Sequence, residues 1–159
     1  MKAENIRLAY NVCSFEELSE ADRALVEKAK EATYTSYSPF SHFRVGAAVE
    51  LENGEIMQGS NQENASFTTG LCAERCVIFY ANARFPEVPV KTIAIAARDT
   101  TGKFTSNPTS PCGACRQVLS EIEYRYGKPM RVLLYGKERV WLLESASDLL
   151  PFKFNASSL

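Results

Sequence analysis

Hydrophobic and polar positions divide the chain into alternating helical and extended stretches. Leu18, Ala21, Leu25, Ala29 and Ala32 recur at helical spacing behind Ser19, a capping residue type, and predict a helix to about Thr35. Val45 to Leu51 and Glu55 to Ser60 flank Asn53-Gly54, a strong hairpin signal, so the two runs are expected to pair antiparallel. Small residues on the first of these strands point to a face closely covered by a helix. Val77, Ile78 and Ala81 predict a second helix, from Cys72 to about Ala83, closed by Pro86 and Pro89. Val90 to Ala97 is apolar enough for a central strand, and residues 98–110 read as a polar loop. Cys115, Val118, Leu119 and Ile122 form the stripe of a third helix that opens at Cys112 and stops at Gly127 and Pro129. Met130 to Tyr135 and Val140 to Leu143 are strands with too few residues between them for a parallel crossover, which makes this last pair antiparallel. Ser145 caps a short helical turn, and Ile6 to Val12 reads as a short strand or an extended arm.

The expectation is an α/β fold in three layers (α/β/α), with a mixed sheet of about five strands and an antiparallel last pair. Residues 1–159 are read as a single domain with an N-terminal arm over 1–18. A formal net charge of -1 argues against a dedicated nucleic-acid binder, because such affinity needs clustered cations to neutralise phosphates. No apolar run approaches a membrane span, and Met1 to Asn5 lacks the core of a signal peptide. With 5 cysteines, an odd number, the chain is expected in a reducing compartment, the cytoplasm.

Chemistry concentrates in Cys72-Ala73-Glu74-Arg75 and Pro111-Cys112-Gly113-Ala114-Cys115. If the segments meet, Cys72, Cys112 and Cys115 supply three ligands and leave a fourth position to water, the arrangement of catalytic rather than structural zinc. Glu74, two residues after the first ligand, is the general acid/base candidate. Three thiolates overcompensate the metal's charge, but both segments read as helix starts and Arg75 can donate to sulfur. Two other readings stand beside this one. The Cys-x-x-Cys could be a redox pair, or Cys76, one turn after Cys72, could close a non-catalytic four-cysteine structural zinc module.

Cys-Ala-Glu followed by Pro-Cys-Gly-Ala-Cys is similar to the signature of the cytidine deaminase family, in particular its small homotetrameric nucleoside deaminases. The resemblance extends from about Ser36 to Phe154 and takes in Phe40-Ser41-His42-Phe43 with Val45-Gly46-Ala47-Ala48, Asn61-Gln62-Glu63-Asn64 and Leu149-Leu150-Pro151. It implies one Zn2+ per subunit, a homotetramer, a small nucleoside substrate, and neither nucleic acid nor membrane as partner. Among substrate-binding residues it implies Phe43 on the pyrimidine face, Asn61 and Glu63 at the sugar, Ala73 beside the base and Phe154 reaching a neighbouring subunit's site. An amide and a carboxylate two apart on an extended segment point the same way, which suits a pair of ribose hydroxyls, but without the resemblance the segment reads as a polar loop. The reaction implied is hydrolytic deamination of cytidine and deoxycytidine, with deamination of a cytosine nucleoside antibiotic of the blasticidin S type as the alternative. Phe40 and Phe67 stand where tyrosine is common in relatives, and His42, the single histidine, is given no role.

Overall fold

The computed structural model describes residues 1–159, the side chain of Ser157 excepted. In chain order the elements are β1 (Asn11–Cys13), α1 (Glu20–Ala32), β2 (Arg44–Leu51), β3 (Ile56–Ser60), α2 (Ala73–Arg84), β4 (Val90–Arg98), α3 (Gly113–Tyr126), β5 (Arg131–Tyr135) and β6 (Val140–Leu143), with single 3-10 turns between some of them. One sheet has the order β1-β6-β5-β4-β2-β3. Only β4 and β5 run parallel, and α3 is the crossover that this pairing requires. The β2–β3 hairpin and the β5–β6 pair are antiparallel, as their short connections predict.

The sheet has 6 strands where about five were expected. The additional strand is β1, at the end of the arm, whose Asn11 to Cys13 pair with Leu142 to Val140 on β6. The stretch Ile6 to Val12, expected as a short strand or an extended arm, contributes only its end to the sheet, and three paired residues are too few to show a period of two. The first helix likewise gives way earlier than its pattern suggests, with Thr33–Thr35 tightened into a 3-10 turn.

Alternation along β2 and β4 decides which helix packs where. Val49, Ile93 and Ile95 face one way and pack with Val77, Ile78 and Ala81 of α2 and Leu119 and Ile122 of α3. Ala48, Ala94 and Ala96 face the other way, toward Leu25, Val26 and Ala29 of α1. Small residues allow close approach on both faces: on the α2 side a β-carbon at Gly59 would lie 2.8 Å from the Val77 nitrogen, and on the α1 side the alanines leave room for the helix backbone. At Gly46 the approach is closest: a β-carbon there would lie 2.2 Å from the Ala29 carbonyl oxygen. The two cysteine-bearing helices therefore share one face, and their N-termini lie at the same end of the sheet.

Glu123 joins the far end of α3 to the rest of this layer. Its buried carboxylate accepts from the backbone N–H groups of Met130 (2.7 Å), Ala146 (2.8 Å) and Ser147 (3.0 Å), tying α3 to β5 and to the turn after β6. Gly127, at φ 62°, ends the helix in the left-handed conformation that glycine adopts without penalty.

Because α1 offers backbone rather than a flexible side chain at the contact, Gly46→Ala forces the helix away from the sheet. Urea denaturation should show a loss of about 1–3 kcal/mol, the usual cost of overpacking. Gly113→Ala, where an added β-carbon meets nothing within 4 Å, is the control and should leave the midpoint nearly unchanged.

Candidate active site

Cys72 and Cys112 occupy equivalent places, each the extended residue immediately before a helix, at ψ 154° and 165°. Neither thiol caps its own helix, so both remain free beside the unpaired N–H groups and positive dipole ends of α2 and α3. Cys115 follows one turn into α3 and is fully buried. The side-by-side packing of the helices brings the sulfurs together: Cys72 to Cys112 is 3.7 Å, Cys112 to Cys115 is 3.4 Å, and all three lie within 4.8 Å of one another. Tetrahedral zinc with bonds of about 2.3 Å holds its sulfurs roughly 3.8 Å apart, so the spacing fits this ion. Among the described residues this is the group of three that can hold a metal, and Cys76 is not part of it. Burial pushes the Cys76 thiol up, and the charge on Cys72 adds to the effect.

The electrostatics favour one shared thiolate even before a metal arrives. Hydrogen bonding from Cys115 brings Cys72 down to about 5, with help from Arg75 and Cys112, while burial opposes the shift. Cys115 moves the other way, because it is the donor to Cys72 and is itself buried. The Arg75 guanidinium stands 3.6 Å from the Cys72 sulfur and takes up part of its charge. Zinc replaces the remaining thiol protons, so its binding releases protons and tightens as pH rises.

Glu74 is 4% exposed, and burial holds its carboxyl above the ordinary range, with the Cys72 charge as a smaller contribution. A carboxyl that keeps its proton more readily than one in water is suited to passing that proton back and forth near neutral pH.

A cleft of about 590 Å³ opens beside Cys72 and Arg75, and Asn61, Glu63, Phe40 and Phe67 line it further out. Phe40 and Phe67 meet edge to face, with ring centroids 5.5 Å apart, and present an apolar rim where tyrosines would have added hydroxyls. Of the residues expected to bind substrate, Asn61 and Glu63 lie in this wall, whereas Phe43, Ala73 and Phe154 do not line it. Phe43 is half-buried in the adjoining loop. Ala73 is wholly buried in the core, and its N–H, one of the first in α2, has no partner inside the helix. Phe154 is 59% exposed and is tied by its backbone to the side chain of Gln117.

The polar groups of the wall are more heavily engaged than an extended pair would suggest. Asn61 Oδ1 accepts from Ser36 Oγ (2.6 Å) and Val45 N–H (2.7 Å), and its Nδ2 donates to the Phe43 carbonyl (2.9 Å). Glu63 accepts from the Phe40 N–H at 2.8 Å and from both the N–H and the hydroxyl of Ser41. The Ser41 hydroxyl, first among the causes, holds the Glu63 carboxyl below its ordinary range. Ser36 and Ser41 escape a reading of the sequence because serines before a strand look like ordinary loop residues. Ser36 reaches Asn61, and the Ser38-Pro39 turn followed by a positive-φ His42 brings Ser41 to Glu63, a conformation that no local pattern announces.

Comparison with known proteins agrees with this geometry. Residues 19–127 match the family model described as the cytidine and deoxycytidylate deaminase zinc-binding region. The chain is 38% identical over 100 residues to the cytidine deaminase of Halalkalibacterium halodurans, covering 62% of this chain and 69% of that one. It is 31% identical over 134 residues to a probable cytidine deaminase of Dictyostelium discoideum, covering 84% of each. The crystal structure of cytidine deaminase from Burkholderia pseudomallei superposes with a TM-score of 0.72 at 39% identity, covering 86% of this chain and all of that one.

Cys112→Ala removes a ligand from the centre of the sulfur triangle and should drop the zinc content of purified protein from about one per chain to a small fraction, as metal analysis by mass spectrometry would record. Cys76→Ser should keep its zinc. Loss of metal in the latter instead would reinstate Cys76 as a ligand.

Proposed function

The chain belongs to the cytidine and deoxycytidylate deaminase zinc-binding family, and on that premise we propose that it hydrolyses the 4-amino group of cytidine and deoxycytidine, giving the uridine product and ammonia. The observation that carries this reading is the convergence of Cys72, Cys112 and Cys115 at two helix N-termini with the buried Glu74 next in sequence to the Cys72–Ala73 turn. Zinc on these thiolates supplies the Lewis acidity that makes water a nucleophile near neutral pH. Glu74 accepts the proton of the attacking water and delivers it to ring nitrogen 3, then takes the proton of the new C4 hydroxyl and passes it to the amino group, which leaves as ammonia as the C4 carbonyl forms. Arg75 compensates the charge of the sulfur set through its contact with Cys72.

Substrate recognition follows from what the wall has left to offer. Asn61 keeps one free N–H, since its oxygen is already doubly engaged, and the Glu63 carboxylate retains acceptor capacity beside Ser41 and Phe40. A donor and an acceptor side by side match a sugar hydroxyl, with the base directed toward Cys72, Ala73 and Phe43. A net charge of -1 and the apolar Phe40–Phe67 rim favour a neutral nucleoside over a polynucleotide.

Homotetrameric assembly belongs to the same proposal. It is supported by the ring of Phe154, which lies outside its own chain's cleft and is free to complete another, and by Phe79 and Tyr80, exposed at 48% and 58% on α2. We also take residues 1–159 as one deaminase domain with 1–18 as its arm, and place it in the cytoplasm, which suits cysteines that are all free of disulfides. No helix among the described residues is long and apolar enough to cross a membrane.

Glu74→Gln keeps the size and hydrogen bonding of the side chain but cannot carry a proton. It should retain zinc and bind cytidine while turning over at least ~10²-fold more slowly, followed by the loss of ultraviolet absorbance on deamination. A panel including cytidine, deoxycytidine, a cytosine nucleoside antibiotic and single-stranded DNA would identify the substrate, and activity confined to the polynucleotide would refute the nucleoside reading. Light scattering should give a particle of four chains, and a monomer mass would remove the tetramer and the assignment of Phe154 together.

A further inference from the structure

The loop of residues 36–45 is fastened to residues 61–63 more densely than any other pair of segments around the cleft. Backbone bonds join Tyr37 to Asn61 (3.0 Å) and Glu63 to Tyr37 (2.8 Å), and the side chains of Asn61 and Glu63 reach back into the loop. Ser41 sits at the centre of this clasp. Its hydroxyl donates to Glu63, and the same oxygen accepts the Phe43 N–H at 3.0 Å. His42, between them, is held at φ 55° with its N–H on the Ser38 carbonyl, an uncommon conformation for a residue with a β-carbon. Both backbone groups of Phe43 are thus held by side chains of the clasp, the N–H by Ser41 and the carbonyl by Asn61.

Resting on the nucleoside reading above, we propose that Ser41 is a positioning residue that couples occupation of the sugar subsite at Glu63 to the placement of Phe43. The direction of the bonds gives the reason. An ionised Glu63 orients the Ser41 O–H toward itself, which turns a lone pair of that oxygen to the Phe43 N–H and sustains the left-handed turn at His42. A sugar hydroxyl donating to Glu63 fixes the carboxylate, and with it the Ser41 rotamer and the residue beyond. Removal of the hydroxyl leaves both ends of the relay to water and frees Phe43 from the state of Glu63. The zinc ligands and Glu74 make no bond to this clasp, so the effect falls on binding rather than on the chemical step.

The zinc-loaded enzyme and its Ser41→Ala and Ser41→Thr forms would be assayed with cytidine and with 2′,3′-dideoxycytidine. For cytidine, Ser41→Ala should raise KM about tenfold with kcat nearly unchanged, the scale of one hydrogen bond to a charged group. For the dideoxynucleoside, which leaves Glu63 without its sugar partner, KM should change by about twofold or less. Ser41→Thr, which keeps the hydroxyl, should restore the cytidine value. An equal rise in KM for both substrates, or a fall in kcat instead, would overturn the coupling and leave Ser41 a merely structural loop residue. Hydrogen exchange of the Phe43 amide in isotope-labelled protein gives a readout independent of turnover: exchange should accelerate at least tenfold in Ser41→Ala and in Glu63→Ala, and unchanged exchange would refute the relay. Failure of the unmodified enzyme to deaminate cytidine would strike the nucleoside reading instead, with the relay still decided by the exchange rates.

Discussion

Three sulfurs within bonding distance of one ion must be held there by something stiffer than the loops that carry them, and in this chain the stiffness comes from two helices packed in parallel on one face of a sheet. Cys72 and Cys112 each close the extended approach to a helix, so the position of each thiol is set by the start of a rigid rod rather than by a flexible segment. The same placement supplies the electrostatics. Helix N–H groups and Arg75 stabilise negative sulfur, and the neighbouring Glu74 is held above the ordinary carboxylate range by burial, with the Cys72 charge acting in the same direction and a hydrogen bond from Cys115 opposing it. The convergence of the three sulfurs and the burial of Glu74 beside them therefore depend on one mechanical fact, the alignment of α2 with α3.

That alignment depends on the sheet beneath. Branched side chains on one face of β4 pack with the cysteine helices and alanines on the other with α1, and the buried carboxylate of Glu123 fixes the end of α3 against β5. Each is a contact far from the cleft, but a change in any of them would be felt as a shift of Cys112 and Cys115 relative to Cys72. Interiors packed to crystal density transmit such shifts instead of absorbing them.

The substrate wall is built on a different principle. Here the framework is a loop, and its rigidity comes from side chains of Asn61 and Glu63 bonded to backbone groups of residues 40–45. Residues that line the cleft and residues that hold its wall are consequently the same, so a change at Asn61 or Glu63 alters the surface of the cleft and the loop behind it together.

Much of this was legible in the chain. Periodicity and capping located all three helices, Asn53-Gly54 set the hairpin, and the placement of cysteines at two helix starts singled out the three thiols that converge, because each signal is local and follows from backbone geometry that a few residues determine. The exclusion of Cys76 from the metal was not legible, since residues at both Cys72 and Cys76 lie on one helical stripe and only the position of α3 selects between them. Nor were the bounds of the first strand, expected within Ile6 to Val12 and set at Asn11–Cys13 by the edge that β6 offers, nor the use of Ser41 as a bridge, which requires a left-handed turn at His42 and a partner 22 residues away. Sequence determines the elements and the chemistry they carry. Which of two equivalent side chains meets its partner is decided by packing, where contacts between distant segments outweigh local preference.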